Sequence, residues 1–450
     1  MFGVSSKEVF LKLDAPPGVL LRVPAGESFL PLVTSFVEKT ALILGLAKAE
    51  TLSLTLATEE VFLHLCRVIL PQGGDVEVDC LSGGYYVRVD FRFPARDFNL
   101  RAFNLTATVS VADEAALGEM GLVLASRSVD RFQLTRQEGQ GMRLRLIKEK
   151  AYPMDHAEGT LSSRALTKFS VRVPQPEEMK IFSSLVKKYY QGQIIPDFLQ
   201  YPGKLVDMMR GGEFSAAVAL GPAGEIGGGI LWHWSGLRMV ECFGPYLFDQ
   251  DPDSPIAGAA LEACIGAIAK TPAVGLINRF PTPEFPRQHF ESLGNVLVHA
   301  ADESPRQQTA WFRQLHEDLG SVTWAHPALE DFLKKEYRRL VLPRDIRLLR
   351  DAGEGRSQNS VLAAEFDRLN GQVTLHPVWP GADVATNVAQ HRKLLTQEGF
   401  RNIFSVVDLG QAWQADFAPA FLQNGFLARL VLPYAGEGDL VIFQFEGAGS

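Results

Sequence analysis

Three apolar runs follow one another in the middle of this chain: FSAAVAL (Phe214–Leu220), GEIGGGILWHW (Gly224–Trp234) and RMVECFGPYLF (Arg238–Phe248). Each has strand length and is bounded by glycine, proline or serine, so they read as three consecutive strands. FSVRV before them predicts a strand, and Pro176–Tyr190 and Pro196–Gly212 predict helices. After them come a helix over Pro255–Lys270, the strand AVGLINRF, a helix over Pro283–Gly294 and the strand NVLVHA. Trp232 and Trp234 share one face of their strand and His233 takes the other, a core pattern with a satisfied histidine. Glu241 on the next strand suits a base for an amine or a solvated edge residue.

The theme returns further on. Pro327–Leu340 predicts an amphipathic helix and Ser360–Trp379 a hairpin. Then follow helix Asp383–Gln397, strand NIFSVVDL, helix Trp413–Asn424 and the strands ARLVLPY and GDLVIFQFE. Pro380-Gly381-Ala382 before the helix at 383 is a fragment of a phosphate loop.

At 450 residues the chain is long enough for about three domains. A hydrophobic share of 46% with 21% charged residues is that of a globular protein. The net charge of −8 gives no overall basic field for nucleic acid or an anionic membrane. No window reaches the roughly 18–20 apolar residues of a membrane span. Cys66, Cys80, Cys242 and Cys264 stand singly among apolar neighbours, as buried thiols of a reducing compartment. The expected location is cytoplasmic. Metal-ligand spacings, a Walker A loop and a Gly-x-Ser-x-Gly elbow are absent from the sequence.

The front third is built on TLSLTLATEEVFLHLCRVIL, Thr51–Leu70. As a helix it sets Glu60, His64 and Arg67 on one stripe and Val61, Phe62, Leu65, Cys66 and Ile69 on the opposite side. The bland reading is a solvated stripe on a core helix. A helix over Ser28–Leu46 precedes it, and VEVDC with YYVRVDFRF forms a hairpin behind it. A helix pair followed by a hairpin suits an α/β sandwich.

Residues 20–150 resemble the GHKL ATP-binding fold, in its branch of serine-kinase anti-sigma factors. Glu60 stands at the general base of LALEEAxxN, and His64 stands where the magnesium-binding asparagine would be. FPARDFNL aligns Asn99 with the aspartate of the adenine motif and puts Phe93 at its leading aspartate. Gly118-Glu119-Met120-Gly121-Leu122 aligns with the glycine box over the phosphates. The resemblance implies ATP and Mg²⁺, with Glu60 catalytic and His64, Arg67, Asn99, Gly118 and Gly121 at the nucleotide. It also implies a protein partner of the sigma-factor, anti-anti-sigma or response-regulator type.

The element order from Phe169 is similar to the GNAT acyltransferase fold, whose loop before the helix at 256 holds acyl-CoA pyrophosphate. Here that loop reads Pro255-Ile256-Ala257-Gly258-Ala259-Ala260. The resemblance implies acetyl-CoA or another acyl-CoA at Gly258, Ala260 and Asn278. Phe290 stands where a tyrosine serves as general acid.

The expected fold class is therefore mixed α/β (α+β): a GHKL-type sandwich over 1–150, a linker over 151–168, a GNAT-like domain over 169–303 and a divergent second one over 304–450. Three functions fit. The first is a signalling protein whose anti-sigma-type module is coupled to an acyltransferase-like tandem. The second is an acyl-CoA-dependent N-acyltransferase with the front domain as sensor. The third is a scaffold that keeps both folds without chemistry.

Overall fold

A computed structural model describes residues 18–69, 73–94, 101–107, 114–137, 141–154, 163–251, 254–299, 305–350 and 357–447. It is a mixed α/β chain with several sheets. Two compact units divide it. One comprises Met1–Ala151, Gly355–Ala364 and Pro377–Leu394, and the other Tyr152–Glu354, Glu365–His376 and Leu395–Ser450.

In the first unit, strand β1 (Gly18–Pro24) precedes helices α1 (Leu30–Ile43) and α2 (Lys48–Ile69). Strands β2 (Asp75–Ser82) and β3 (Tyr86–Pro94), helix α3 (Glu114–Ser128) and strands β4 (Arg131–Gln137) and β5 (Gly141–Glu149) follow. The sheet runs β1-β2-β3-β5-β4. Alternation decides its faces. Val76, Val78, Val89, Phe91, Leu144 and Leu146 join Val33, Val37, Leu54, Val61 and Phe62 of the helices in one core. The alternate residues are charged: Arg92 lies 3.3 Å from Asp79, and fully buried Asp90 is gripped by Arg145 at 2.7 and 2.8 Å. The α/β sandwich expected of the front third is present.

In the second unit, β6 (Ser170–Arg172), α4 (Pro176–Tyr189) and α5 (Pro202–Arg210) lead into β7 (Ser215–Leu220), β8 (Ile226–Trp234) and β9 (Met239–Leu247). Helix α6 (Ile256–Ile268) and strands β10 (Gly275–Asn278), β11 (Glu291–Val298) and β12 (Arg306–Gln314) complete a seven-stranded sheet, ordered β11-β12-β10-β9-β8-β7-β6. Trp232, with Ile230, Val240 and Cys242, packs under Ala260, Leu261 and Cys264 of α6. Trp234 packs against the same cluster. Part of the stretch read as a linker is built into this core. Leu166 packs on Ile256 and Ala257, and Ser163 Oγ lies 3.0 Å from the carbonyls of Ile226 and Phe248.

The helix expected over Pro283–Gly294 is not formed. A short 3₁₀ turn, Arg287–His289, passes straight into β11 at Glu291. Pro281, Pro283 and Pro286 remove backbone donors and push their predecessors toward extended geometry. Proline also splits the helix expected over Pro196–Gly212, with Pro202 opening α5 after a 3₁₀ turn at Asp197–Gln200.

Strand β13 (Ser321–Ala325), helix α7 (Glu330–Arg339) and strand β14 (Arg344–Leu348) form a parallel pair with its crossover helix. A last sheet follows from β15 (Val361–Asp367), β16 (Gln372–Trp379), β17 (Asn402–Asp408), β18 (Phe426–Leu432) and β19 (Leu440–Phe445), ordered β15-β16-β17-β19-β18. Helix α8 (Val384–Gln397) joins β16 to β17, and α9 (Ala412–Ala415) and α10 (Ala418–Gln423) join β17 to β18. Pro419 in the first turn of α10 explains why Trp413–Asn424 is two helices rather than one. This order repeats β8-β9-β10-β12-β11. The repeat holds to the residue, because β11 skips Leu293 against β12 and β18 skips Arg429 against β19 at the same register.

Candidate functional site

On α2, Glu60 and His64 are half-buried and Arg67 is exposed. Gly118 and Gly121, expected in a phosphate loop, lie inside α3. The alanines, leucines and glutamates around them favour helix. Gly121 is where α3 comes against α2, for a Cβ there would collide with Glu60 Oε2. Phe93, next to the last residue of β3, lies in the core opposite Met142. Asn99 and Ala95 lie outside the described residues. Glu60 is thus brought to Gly121, and the carboxylate adjoins a helix rather than a loop.

The second candidate region is the edge of β9. Its parallel pairing with β10 covers Met239 to Glu241 and ends there, while β9 runs on to Leu247. From Cys242 onward the β10-side edge has no strand partner among the described residues. A bulge interrupts β9 on its other side, with Gly244 and Pro245 inserted where β8 offers only Ile230. Gly244 adopts φ +92°, a left-handed conformation that favours glycine.

Side chains meet the open edge. Asn278, fully buried at the end of β10, donates from Nδ2 to the Gly244 carbonyl at 2.7 Å and accepts the Phe280 N–H at 2.9 Å. Thr282 donates to the Pro245 carbonyl at 2.6 Å. Tyr190 accepts the Leu247 N–H at 2.7 Å and points its hydroxyl at Glu284 Oε2, 3.1 Å away. Burial drives the Tyr190 phenol far above its ordinary range.

The edge leads to the start of α6. Gly258 is exposed there, and a Cβ would meet nothing. Ala260 is buried beneath the sheet instead, so of the loop residues singled out only Gly258 faces open space. The approach is acidic: Asp249 accepts the Tyr189 hydroxyl at 2.6 Å, and Asp251 follows it.

Glu241 stands at the last paired position. Only 1% exposed, it takes a two-point grip from Arg279, at 2.6 and 2.9 Å, and faces His233 Nε2 at 3.4 Å. Burial alone would raise its carboxyl, yet Arg279 and His233 hold it down to about 2. It is therefore neither a solvated edge residue nor a base in this geometry. His233 stacks between Phe214 and Phe243, with ring centroids at 4.9 and 5.6 Å. Phe290, placed where a general acid was sought, is buried against Phe285 in the α6-side core.

A cavity of about 420 Å³ lies elsewhere, between β6–β8 and the far half of α6, lined by Met209, Phe214, Ala217, Trp232, Ala263 and Ala267. Burial pushes the Cys80 thiol up to about 12 and the Cys66 thiol to about 11, in keeping with inert core cysteines. Among the described residues no cluster of His, Cys, Asp or Glu could hold a metal ion, and no helix is long and apolar enough to cross a membrane. Asn278, singled out in the sequence, is placed against the β9 edge, whereas Tyr190, Thr282 and Arg279 were not singled out. The only cue was that Arg279 directly follows a strand-ending asparagine and Thr282 comes three residues later.

No protein-family pattern matches the chain, and no curated protein matches it. Among solved structures it is similar to GNAT acetyltransferases over about a third of its length. A GNAT superfamily phosphinothricin acetyltransferase of Sinorhizobium meliloti, in complex with AcCoA, is 16% identical over 33% of this chain and 89% of that one, with a TM-score of 0.28. A GNAT family N-acetyltransferase of Escherichia coli, in complex with CoA, is 14% identical over 36% and 87%, with a TM-score of 0.25. An acetyltransferase of the GNAT family from Staphylococcus aureus Mu50 is 14% identical over 33% and 100%, also with a TM-score of 0.25.

Proposed function

We propose that the module of β6–β12 with α4–α6 is an acyl-CoA-dependent N-acyltransferase module, and that the front sandwich serves it as a sensor. The observation that carries this is the edge of β9 from Cys242 to Leu247, without a strand partner among the described residues, which runs from the buried Glu241–Arg279 ion pair to the N-terminus of α6. An extended amide-bearing arm suits such an edge because backbone groups there can bond it as a strand would. The first N–H groups of α6, with Gly258 exposed among them, suit the pyrophosphate end. In the transfer an amine nitrogen bonds the acyl carbon as the carbon–sulfur bond breaks and the thiolate leaves. Glu241, held at about 2, keeps Arg279 and His233 in place rather than taking the amine's proton. The proton that the amine nitrogen sheds passes to the departing thiolate or to water.

A serine-kinase role for the front sandwich, with ATP, Mg²⁺ and a sigma-factor-type partner, draws no support from the surroundings of Glu60 or from the comparisons. Thermal unfolding of the full chain with acetyl-CoA tests the proposal. Ligand at a hundred times its Kd adds about 2.7 kcal/mol. Gly258→Glu, at an exposed site with open space, should abolish the shift without lowering the unliganded Tm. No shift at millimolar acetyl-CoA would overturn the reading.

A further inference from the structure

The edge proposed to receive the acyl-CoA arm is already hydrogen-bonded. The Phe248 N–H points to Gly227 of β8, so by strand alternation the neighbouring Leu247 N–H and carbonyl point to the opposite, unpaired side. The Leu247 N–H is taken by Tyr190, the Pro245 carbonyl by Thr282 and the Gly244 carbonyl by Asn278. Pro245 has no N–H to offer. All three capping side chains are at least nine-tenths buried. They come from the end of α4, the end of β10 and the segment after it, and they converge on three of the four residues Gly244–Leu247 of β9. A strand edge this deep in a protein must find partners, and here side chains supply what a ligand's amides would.

We infer that Tyr190, Thr282 and Asn278 form a latch that stands in for the acyl-CoA arm and sets how tightly that arm binds. This rests on the acyl-CoA reading above. Tyr190 is the part most readily released. Its hydroxyl is anchored by Glu284, which is half-buried, and the segment carrying Thr282 and Glu284 is proline-rich coil rather than the expected helix. Entry of the arm exchanges the three side-chain bonds for ligand bonds to the same groups, so affinity is reduced by the fraction of molecules that stay latched.

The test is calorimetric titration of acetyl-CoA, and of D-pantetheine as the arm alone, into the full chain and into a Thr282→Ala/Glu284→Ala double variant. The latch predicts at least tenfold tighter binding of both probes to the variant. Equal affinity in the two proteins would overturn the latch and leave the acyl-CoA reading standing. Absence of binding to either protein at millimolar acetyl-CoA would overturn both. If the double variant melts well below the parent, Glu284→Gln alone, at a half-exposed position, carries the same comparison, with tighter binding expected and unchanged binding contradicting it.

Discussion

The sheets β6–β12 and β15–β19 share a register and differ in what stands on it. Asn278 lies opposite Trp311 in the first, and Ser405 opposite Phe443 in the second. Glu241 pairs with Ile277 where Thr374 pairs with Phe404. Arg279 follows Asn278, and Val406 follows Ser405. The second sheet therefore keeps the fold and lacks the ion pair and the crossing amide. Ser405 Oγ is buried with no hydrogen-bond partner among the described residues. The helix starts differ too: Gly258 faces open space, whereas a side chain at Gly381 would collide with Asn359 and Ser360. Topology in this tandem is carried by apolar alternation common to both sheets, and chemistry by a handful of polar residues present in one.

The largest expected difference concerns the ion pair. Arg279→Ala strands a buried carboxylate and should cost about 3–5 kcal/mol in urea unfolding. Thr374→Val, at the position that matches Glu241, should cost less than about 1 kcal/mol. Comparable losses at the two sites would break the comparison. Next comes the crossing amide. Asn278→Ala leaves the Gly244 carbonyl and Phe280 N–H without partners and should cost about 1–3 kcal/mol, while Ser405→Ala should be neutral or stabilising because it removes an unsatisfied hydroxyl.

Acid unfolding separates the regions by pH window. Glu241 ionises at about 2 in the folded chain against an ordinary 4.5, so its contribution is present above pH 4.5 and is lost as pH falls through 2. His391, buried on α8, is held down to about 4 from 6.5, chiefly by its burial. The unfolded chain binds that proton first, so stability declines as pH falls from 6.5 to 4 and then levels. His391→Gln should flatten the upper window only, and Arg279→Ala the lower one only. The smallest effect belongs to the front sandwich. Gly121→Ala gains helix propensity, displaces the flexible end of Glu60 and should shift stability by less than about 1 kcal/mol.

Much of the architecture was legible in the chain. The strands at 215–247 and 402–445, the hairpin after α2 and the repeat of the strand theme follow from period-two patterns and glycine or proline punctuation. What was lost lay where tertiary packing or proline overrides pattern. Pro281, Pro283 and Pro286 turned a stretch expected to be helical into coil and strand, and Gly118 and Gly121 were expected in a loop because the resemblance aligned them with a glycine box. At the site, Asn278 was visible as a strand-ending polar residue. Tyr190 and Glu241 were not readable in their roles, since one caps a strand about sixty residues away and the other depends on an arginine thirty-eight positions on. Long-range hydrogen bonds leave no periodic trace.

Calorimetric stoichiometry bears most directly on the claim that the first of the two sheets receives an acyl-CoA and the second does not. Titrating acetyl-CoA into the full chain should give one site per chain, removed by Gly258→Glu and untouched by Gly381→Ala as long as that variant remains folded. Two sites per chain, or one site that survives Gly258→Glu, would contradict it.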